Sequence, residues 1–270
     1  MTSEADTLFS QGKFYEKGYW FYTKNSSLSK AIDCFYKAGN LYYEQSFFSL
    51  ASECFRSVIY LESQLGYPQN PSSYDKLIKA LLASGCKKEA VREIESIITL
   101  YIKNGNFLKA GERIELLATL DPENEIQHKK RAVELYTNHN LMTSSTILNE
   151  NIADTLALSD KDSDLTEAIQ LYEKIADYQL TNRLLMFNVK IPCFKAGLCY
   201  LKKGIMSPWL SEYEQKYKMF CDTNEHSFLK SMISNPSSFS TLLENYQILN
   251  SYSEFNTKMF DSIKVKFSSQ

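Results

Sequence analysis

Residues 30–42 read Lys-Ala-Ile-Asp-Cys-Phe-Tyr-Lys-Ala-Gly-Asn-Leu-Tyr, and residues 50–60 read Leu-Ala-Ser-Glu-Cys-Phe-Arg-Ser-Val-Ile-Tyr. Ala31 recurs as Ala51, Cys34 as Cys54 and Phe35 as Phe55, a shift of twenty residues each time. Positions three and four apart share one face of a helix, so each stretch lines one side with a small residue and an aromatic. Two such helices joined by a short turn form a hairpin. A hairpin recurring at a fixed period predicts a stack in which each repeat buries its apolar face on the next.

The same beat continues downstream. Gly66, Gly85 and Gly105 stand 19 and 20 residues apart. Each follows an apolar helical run, where a left-handed residue ends a helix. Between them Ala90, Ile94, Ile97 and Ile98 define one buried face. After Gly105, the residues Phe107, Ala110, Gly111, Ile114, Leu117 and Ala118 define another. The segment 67–73 (Tyr-Pro-Gln-Asn-Pro-Ser-Ser) predicts a loop with a serine cap into a helix over 74–84. Asp121-Pro122 reads as a cap and first residue of a helix carrying Ala132, Val133, Leu135 and Tyr136. Residues 143–158 predict a less regular helix, and 159–164 a solvated acidic turn. Residues 167–176 and 184–203 restore the hairpin. Ser207-Pro208-Trp209 predicts a helix start. Helices near 209–220, 225–233, 239–248 and 252–266 would close the array, which otherwise exposes its stacking face.

The expected fold is all-α: a TPR-like right-handed solenoid of antiparallel helical hairpins over 1–205, then a C-terminal helical bundle over 206–270. Nine glycines and six prolines are few for the many turns of an all-β chain. Helix pairs recur at 39 residues, from Ala51 to Ala90. The tetratricopeptide repeat needs about 34, which disfavours a generic TPR-like scaffold that binds a partner's peptide tail. One stretch has no helical period. Tyr19, Trp20, Phe21 and Tyr22 are consecutive, and polar turn-formers follow at 23–27. They predict a loop that either folds over the first hairpin or dips into a bilayer interface, where Trp and Tyr are favoured.

The charge is nearly balanced, with 30 Lys and Arg against 32 Asp and Glu. No overall field favours nucleic acid. The absence of a charged-then-apolar leader and of a run of 18 apolar residues predicts a cytoplasmic protein. The six cysteines (34, 54, 86, 193, 199, 221) show no CxxC spacing and are expected as free thiols on helix faces. His128, His139 and His226 have no companion ligands at metal-binding spacing. No phosphate-binding GxxxxGK[ST] loop and no GxSxG elbow is present. These readings predict a protein that binds rather than catalyses, with no metal or cofactor. The rival is an enzyme whose polar groups converge in a helical pocket.

The order and spacing of several stretches resemble the soluble NSF attachment proteins (SNAPs). The resemblance is strongest over residues 31–55 with the aromatics just ahead, and over 167–200 with Leu184-Leu185, Lys190 and Phe194-Lys195-Ala196. It continues through Tyr213-Glu214, Phe220, Asp222, Glu225, Lys230, Tyr246 and Thr257-Lys258-Met259. Proteins of this family are adaptors that couple a hexameric AAA ATPase to SNARE complexes. The resemblance implies a basic concave face that grips the acidic SNARE four-helix bundle, with Lys190 and Lys195 as contacts. It implies that Tyr19, Trp20, Phe21 and Tyr22 touch the membrane, giving a cytoplasmic, peripherally membrane-associated protein. It implies that the C-terminal end, here Met259, Phe260 and Lys264, docks on an NSF-type ATPase. Glu112 stands where the family often has a basic residue, and Lys109 or Arg113 would substitute on the same face. The connection at 235–238 is shorter and less acidic than is usual. The usual acidic, leucine-containing tail is replaced by Lys-Val-Lys-Phe-Ser-Ser-Gln over 264–270. Both departures predict an altered or weaker ATPase contact.

Overall fold

The computed structural model describes residues 3–18, 24–67, 70–249 and 253–268. Among them are fourteen α-helices and no strand. These are α1 (Glu4–Glu16), α2 (Lys24–Glu44), α3 (Phe48–Gln64), α4 (Pro71–Ala83), α5 (Lys87–Lys103), α6 (Phe107–Leu120) and α7 (Glu125–Asn138). They continue as α8 (Met142–Ala157), α9 (Asp162–Thr181), α10 (Lys190–Lys203), α11 (Trp209–Lys216), α12 (Asn224–Ser234), α13 (Phe239–Leu249) and α14 (Glu254–Ser268). The chain is an all-α array of helical hairpins, as the repeat predicts.

The beat has a structural cause at the turns. Gly66, Gly85 and Gly105 have φ of +68°, +78° and +72°. At each, the residue after the glycine donates its N–H five positions back, from Tyr67 to Glu62, Cys86 to Leu81 and Asn106 to Tyr101. This closure absorbs the last orphan carbonyls of the helix and fixes the angle of the next one. The same turn occurs at Ser46 (φ +64°) and Asn140 (φ +59°), where no glycine marks it. A left-handed residue with a Cβ costs about 1–2 kcal/mol. Ser46→Gly is therefore expected to stabilise the first hairpins by about 1 kcal/mol. A urea midpoint unchanged or lowered in that variant would refute the assignment.

Three helix starts differ from the sequence expectation. Asn70, not a serine, caps α4; its Oδ1 accepts from the N–H of Ser72, and Pro71 is the first helical residue. Asp121 precedes a short 3-10 turn, Pro122–Asn124, rather than α7 itself. Pro208 occupies the cap position of α11, one residue later than expected.

The contacts divide the chain into two compact units, Met1–Leu141 and Met142–Gln270. The sequence reading sets a boundary at 205. The difference comes from α10, which packs on α9 and also on α12 and α14. The last hairpin and the closing helices thus share one core.

In the first unit each helix packs on the next, while a second set of polar links skips one helix. Lys13 reaches Glu53, Arg56 reaches Glu89, and Arg131 holds Glu95 through two hydrogen bonds. Lys76 reaches Asn40, and Arg113 reaches Asp75. So α1, α3, α5 and α7 form one layer and α2, α4 and α6 the other. Most of these links are exposed and individually worth under about 1 kcal/mol. The stack itself is held by burial between the layers, with Ala31, Phe35, Ala51, Cys54, Phe55, Val58 and Leu61 all inside. Each large apolar side chain there contributes about 1.5–3 kcal/mol.

In the second unit Tyr172 donates to Asp154, Tyr213 to Glu173 and Tyr217 to Asp177. Burial and these carboxylates push all three phenols up, so they stay neutral hydrogen-bond donors. Phe194, Phe228, Tyr246 and Phe260 meet as an aromatic cluster, and Trp209 stacks on Tyr200 at 4.8 Å between ring centres.

Candidate functional site

The residues of interest fall in both units and are described in each by itself. In the first unit they lie on the α4–α6 layer. Lys109 is half exposed, and its Nζ lies 3.9 Å from Glu112 on its own helix. Arg113 is more enclosed and is fixed to Asp75 at 3.0 Å. Glu112 therefore sits between two cations and partly cancels one of them. Sequence reasoning missed Lys76 and Lys79, one and two turns along α4 on this layer. With Asn40, Tyr43, Glu44 and Phe55 they line a hollow of about 250 Å³. Lys76 lies over the Tyr36 ring at 4.6 Å and close to Phe55. Lys79 is exposed and has no ion-pair partner among the described residues. Helical spacing puts Lys76 and Lys79 on one face, but only the packing tells which face that is.

In the second unit Lys190 begins α10. Its Nζ contacts Glu225 at 3.1 Å and the side chain remains 43% exposed. Close to it along the chain, Leu184, Phe187 and Ile191 are exposed at 88%, 66% and 44%. Three large apolar side chains this open within eight residues, with a lysine among them, offer both apolar and cationic contact to a partner. The sequence offered the dipeptide Leu184-Leu185 but no sign that Leu184 points to solvent. Asn182 explains it: its Oδ1 accepts from the N–H of Leu184 and ends α9, so the chain turns outward before α10.

Three expected contact residues are elsewhere. Lys195 is 12% exposed, with its Nζ at 2.8 Å from Glu150 and from Asp154, and 4.8 Å from the Phe255 ring. It is a tie between α8, α10 and α14 rather than an open cation. Met259 and Phe260 are 0% and 2% exposed. The inner face of α14 carries them, together with Ile263, into the core, where they hold that helix in place. Lys264 is on the exposed side of α14. Tyr19, Trp20, Phe21 and Tyr22 lie outside the described residues.

Lys202 was also not anticipated. It is buried, and its Nζ donates to the carbonyls of Ala157, Leu158 and Ser159 at 3.2, 3.2 and 2.8 Å. It closes the C-terminal end of α8, where a cation suits the helix dipole. The acidic segment at 159–164 is thus partly structural: Asp164 accepts from Ser159, and residues 162–164 form the first turn of α9.

The six cysteines are free. Burial pushes the Cys54 and Cys199 thiols up to about 12, which keeps them protonated and unreactive. Among the described residues no helix is long and apolar enough to cross a membrane.

Comparisons with known proteins agree along the length of the chain. The family described as "Soluble NSF attachment protein, SNAP" matches residues 3–268. A probable vesicular-fusion protein sec17 homolog of Neurospora crassa is 27% identical over 224 residues, 79% of this chain and 75% of that protein. An alpha-soluble NSF attachment protein of Vitis vinifera is 26% identical over 226 residues, 81% of this chain and 73% of that one. The alpha-soluble NSF attachment protein of Saccharomyces cerevisiae is 26% identical over 216 residues, 76% and 72% of the two chains. A family match that runs from α1 through α14, on a chain folded as stacked helical hairpins, places this protein in the soluble NSF attachment protein family.

Proposed function

We propose that the protein is a non-catalytic adaptor of vesicular fusion, which grips an acidic SNARE bundle and presents it to an NSF-type AAA ATPase hexamer. The observation that carries this reading is the exposed Lys190 flanked by the open apolar side chains of Leu184, Phe187 and Ile191. A helical rod with an acidic, partly apolar surface complements that arrangement. Lys79 and Lys109 supply further cations on the first unit. Arg113 serves mainly to hold Asp75, and Lys195 is a structural residue. Each exposed charge contact is worth under about 1 kcal/mol, so several must act together. Membrane attachment through Tyr19, Trp20, Phe21 and Tyr22 makes the protein peripheral. Since Met259 and Phe260 are interior, contact with the ATPase falls on the exposed side of α14, where Lys264 stands.

Pull-down of a soluble SNARE bundle tests the reading. Binding is expected to weaken as salt rises, because exposed charges are screened. Leu184→Ser with Lys190→Glu is expected to reduce affinity about tenfold, equivalent to about 1.4 kcal/mol. Affinity unchanged in that variant and in high salt would defeat the proposal. The rate of the ATPase hexamer, with and without this protein and the bundle, then tests recruitment.

A further inference from the structure

In the first unit, the opening turns of α5, the last turn of α6 and the start of α7 enclose a groove of about 660 Å³. That is within the range of built ligand sites, about 300–1,000 Å³. Val91, Leu117, Leu120 and Pro122 give it an apolar floor. Along one wall α5 sets Lys87, Lys88 and Arg92, all exposed and without an ion-pair partner among the described residues.

The carboxylates nearby are differently placed. Glu95 is held by both terminal nitrogens of Arg131, and Glu89 by Arg56. Asp121 accepts from Asn124 and pairs with His128, and these bonds hold its carboxyl below the usual range. Among the described lining residues, three cations are thus open against one carboxylate, Glu123. Lys87 and Lys88 also occupy the first two positions of α5, the positive end of the helix. There a cation opposes the dipole, whereas an anion is favoured. Cys86 at the cap offers no side-chain bond to the first amides. Glu89, the carboxylate of that first turn, is engaged by Arg56, so the three cations of the wall keep no carboxylate of their own.

We propose that this groove docks a short peptide segment of a partner protein that carries carboxylates next to a large apolar side chain. The carboxylates lie against Lys87, Lys88 and Arg92, and the apolar side chain enters over Val91, Leu120 and Pro122. The cations of the groove lie on α5, not on α4 and α6, whose Lys79 and Lys109 are assigned above to the SNARE bundle; α6 contributes only Leu117 and Leu120 of its last turn. The site is therefore independent of that reading.

Fluorescence anisotropy on the full chain tests the proposal with the labelled peptide Asp-Glu-Leu-Leu-Asp-Glu. Two control peptides replace its acids by Asn and Gln, or its leucines by Ser. The acidic, leucine-containing peptide is expected to bind at least tenfold more tightly than either control. Lys87→Glu/Lys88→Glu/Arg92→Glu, and separately Val91→Asp, are each expected to weaken it at least tenfold. Reversal at Lys87 and Lys88 favours the helix dipole and offsets the small like-charge cost that Arg92→Glu adds on the exposed face, so the triple variant should keep its melting temperature and its SNARE-bundle binding. No peptide binding, equal binding of the serine control, or binding untouched by the triple variant would overturn the proposal. So would joint loss of bundle binding, which would make the groove part of that surface. Loss of binding to phosphatidylserine vesicles in the triple variant, with peptide binding intact, would assign the cations to lipid instead and equally overturn it.

Discussion

Gly111→Ala is expected to lower the unfolding free energy by about 3 kcal/mol, although alanine is the better helix former by about 1 kcal/mol. A Cβ at position 111 would stand 2.1 Å from Cε1 of Tyr136, 2.3 Å from Cζ and 2.5 Å from the hydroxyl oxygen. The ring cannot swing away. Tyr136 is 1% exposed, and its hydroxyl donates to Glu115 at 2.6 Å. Either α6 and α7 separate or the phenol loses its acceptor while still buried, and both are costly. Denaturant unfolding measures the effect. A loss below about 0.5 kcal/mol would show that the two helices pack less closely than described. Gly39 against Phe55 and Gly197 against Leu229 and Trp209 repeat this close approach. The three glycines all end the tripeptide Lys-Ala-Gly, at 37–39, 109–111 and 195–197.

Lys195→Glu is expected to be similarly damaging. Its Nζ is bonded to Glu150 and to both oxygens of Asp154, and Asp154 also accepts from the buried Tyr172. Reversal would gather three carboxylates around a side chain that is 12% exposed. Breaking a buried pair costs about 3–5 kcal/mol, and the lower end applies because Glu150 and Asp154 are about one-third open to solvent. Lys195→Met keeps the apolar stem, should cost roughly half as much, and should leave SNARE-bundle affinity within about twofold in folded protein. If Lys195→Met instead removes bundle binding and leaves thermal stability intact, Lys195 is a contact residue after all and the structural assignment fails.

Much of the architecture was legible from residues 30–60. The twenty-residue shift marks a helix and its turn, and the spacing of small and aromatic residues marks the buried face. Gly66, Gly85 and Gly105 signal their turns because a left-handed residue favours glycine. Ser46 makes the same turn without a glycine because the burial of α2 against α3, with Phe35, Ala51 and Phe55 inside, outweighs the local cost; at Asn140 the turn uses a residue type that tolerates the left-handed region.

The sequence by itself determined properties that depend on neighbours along one helix: hairpins, their period, the inner face, and which lysines are present. Only the tertiary structure decided which lysines are open. Lys190 is exposed, Lys195 and Lys202 are enclosed, and nothing in their local sequence separates them. Their partners lie 35, 45 and 41 residues away for Glu225, Glu150 and Asp154, and Lys202 reaches carbonyls 43–45 residues back. Helical periodicity says which side of a helix is apolar. It does not say what the neighbouring helix brings to the charged side, and that decides whether a lysine is a strut or a contact.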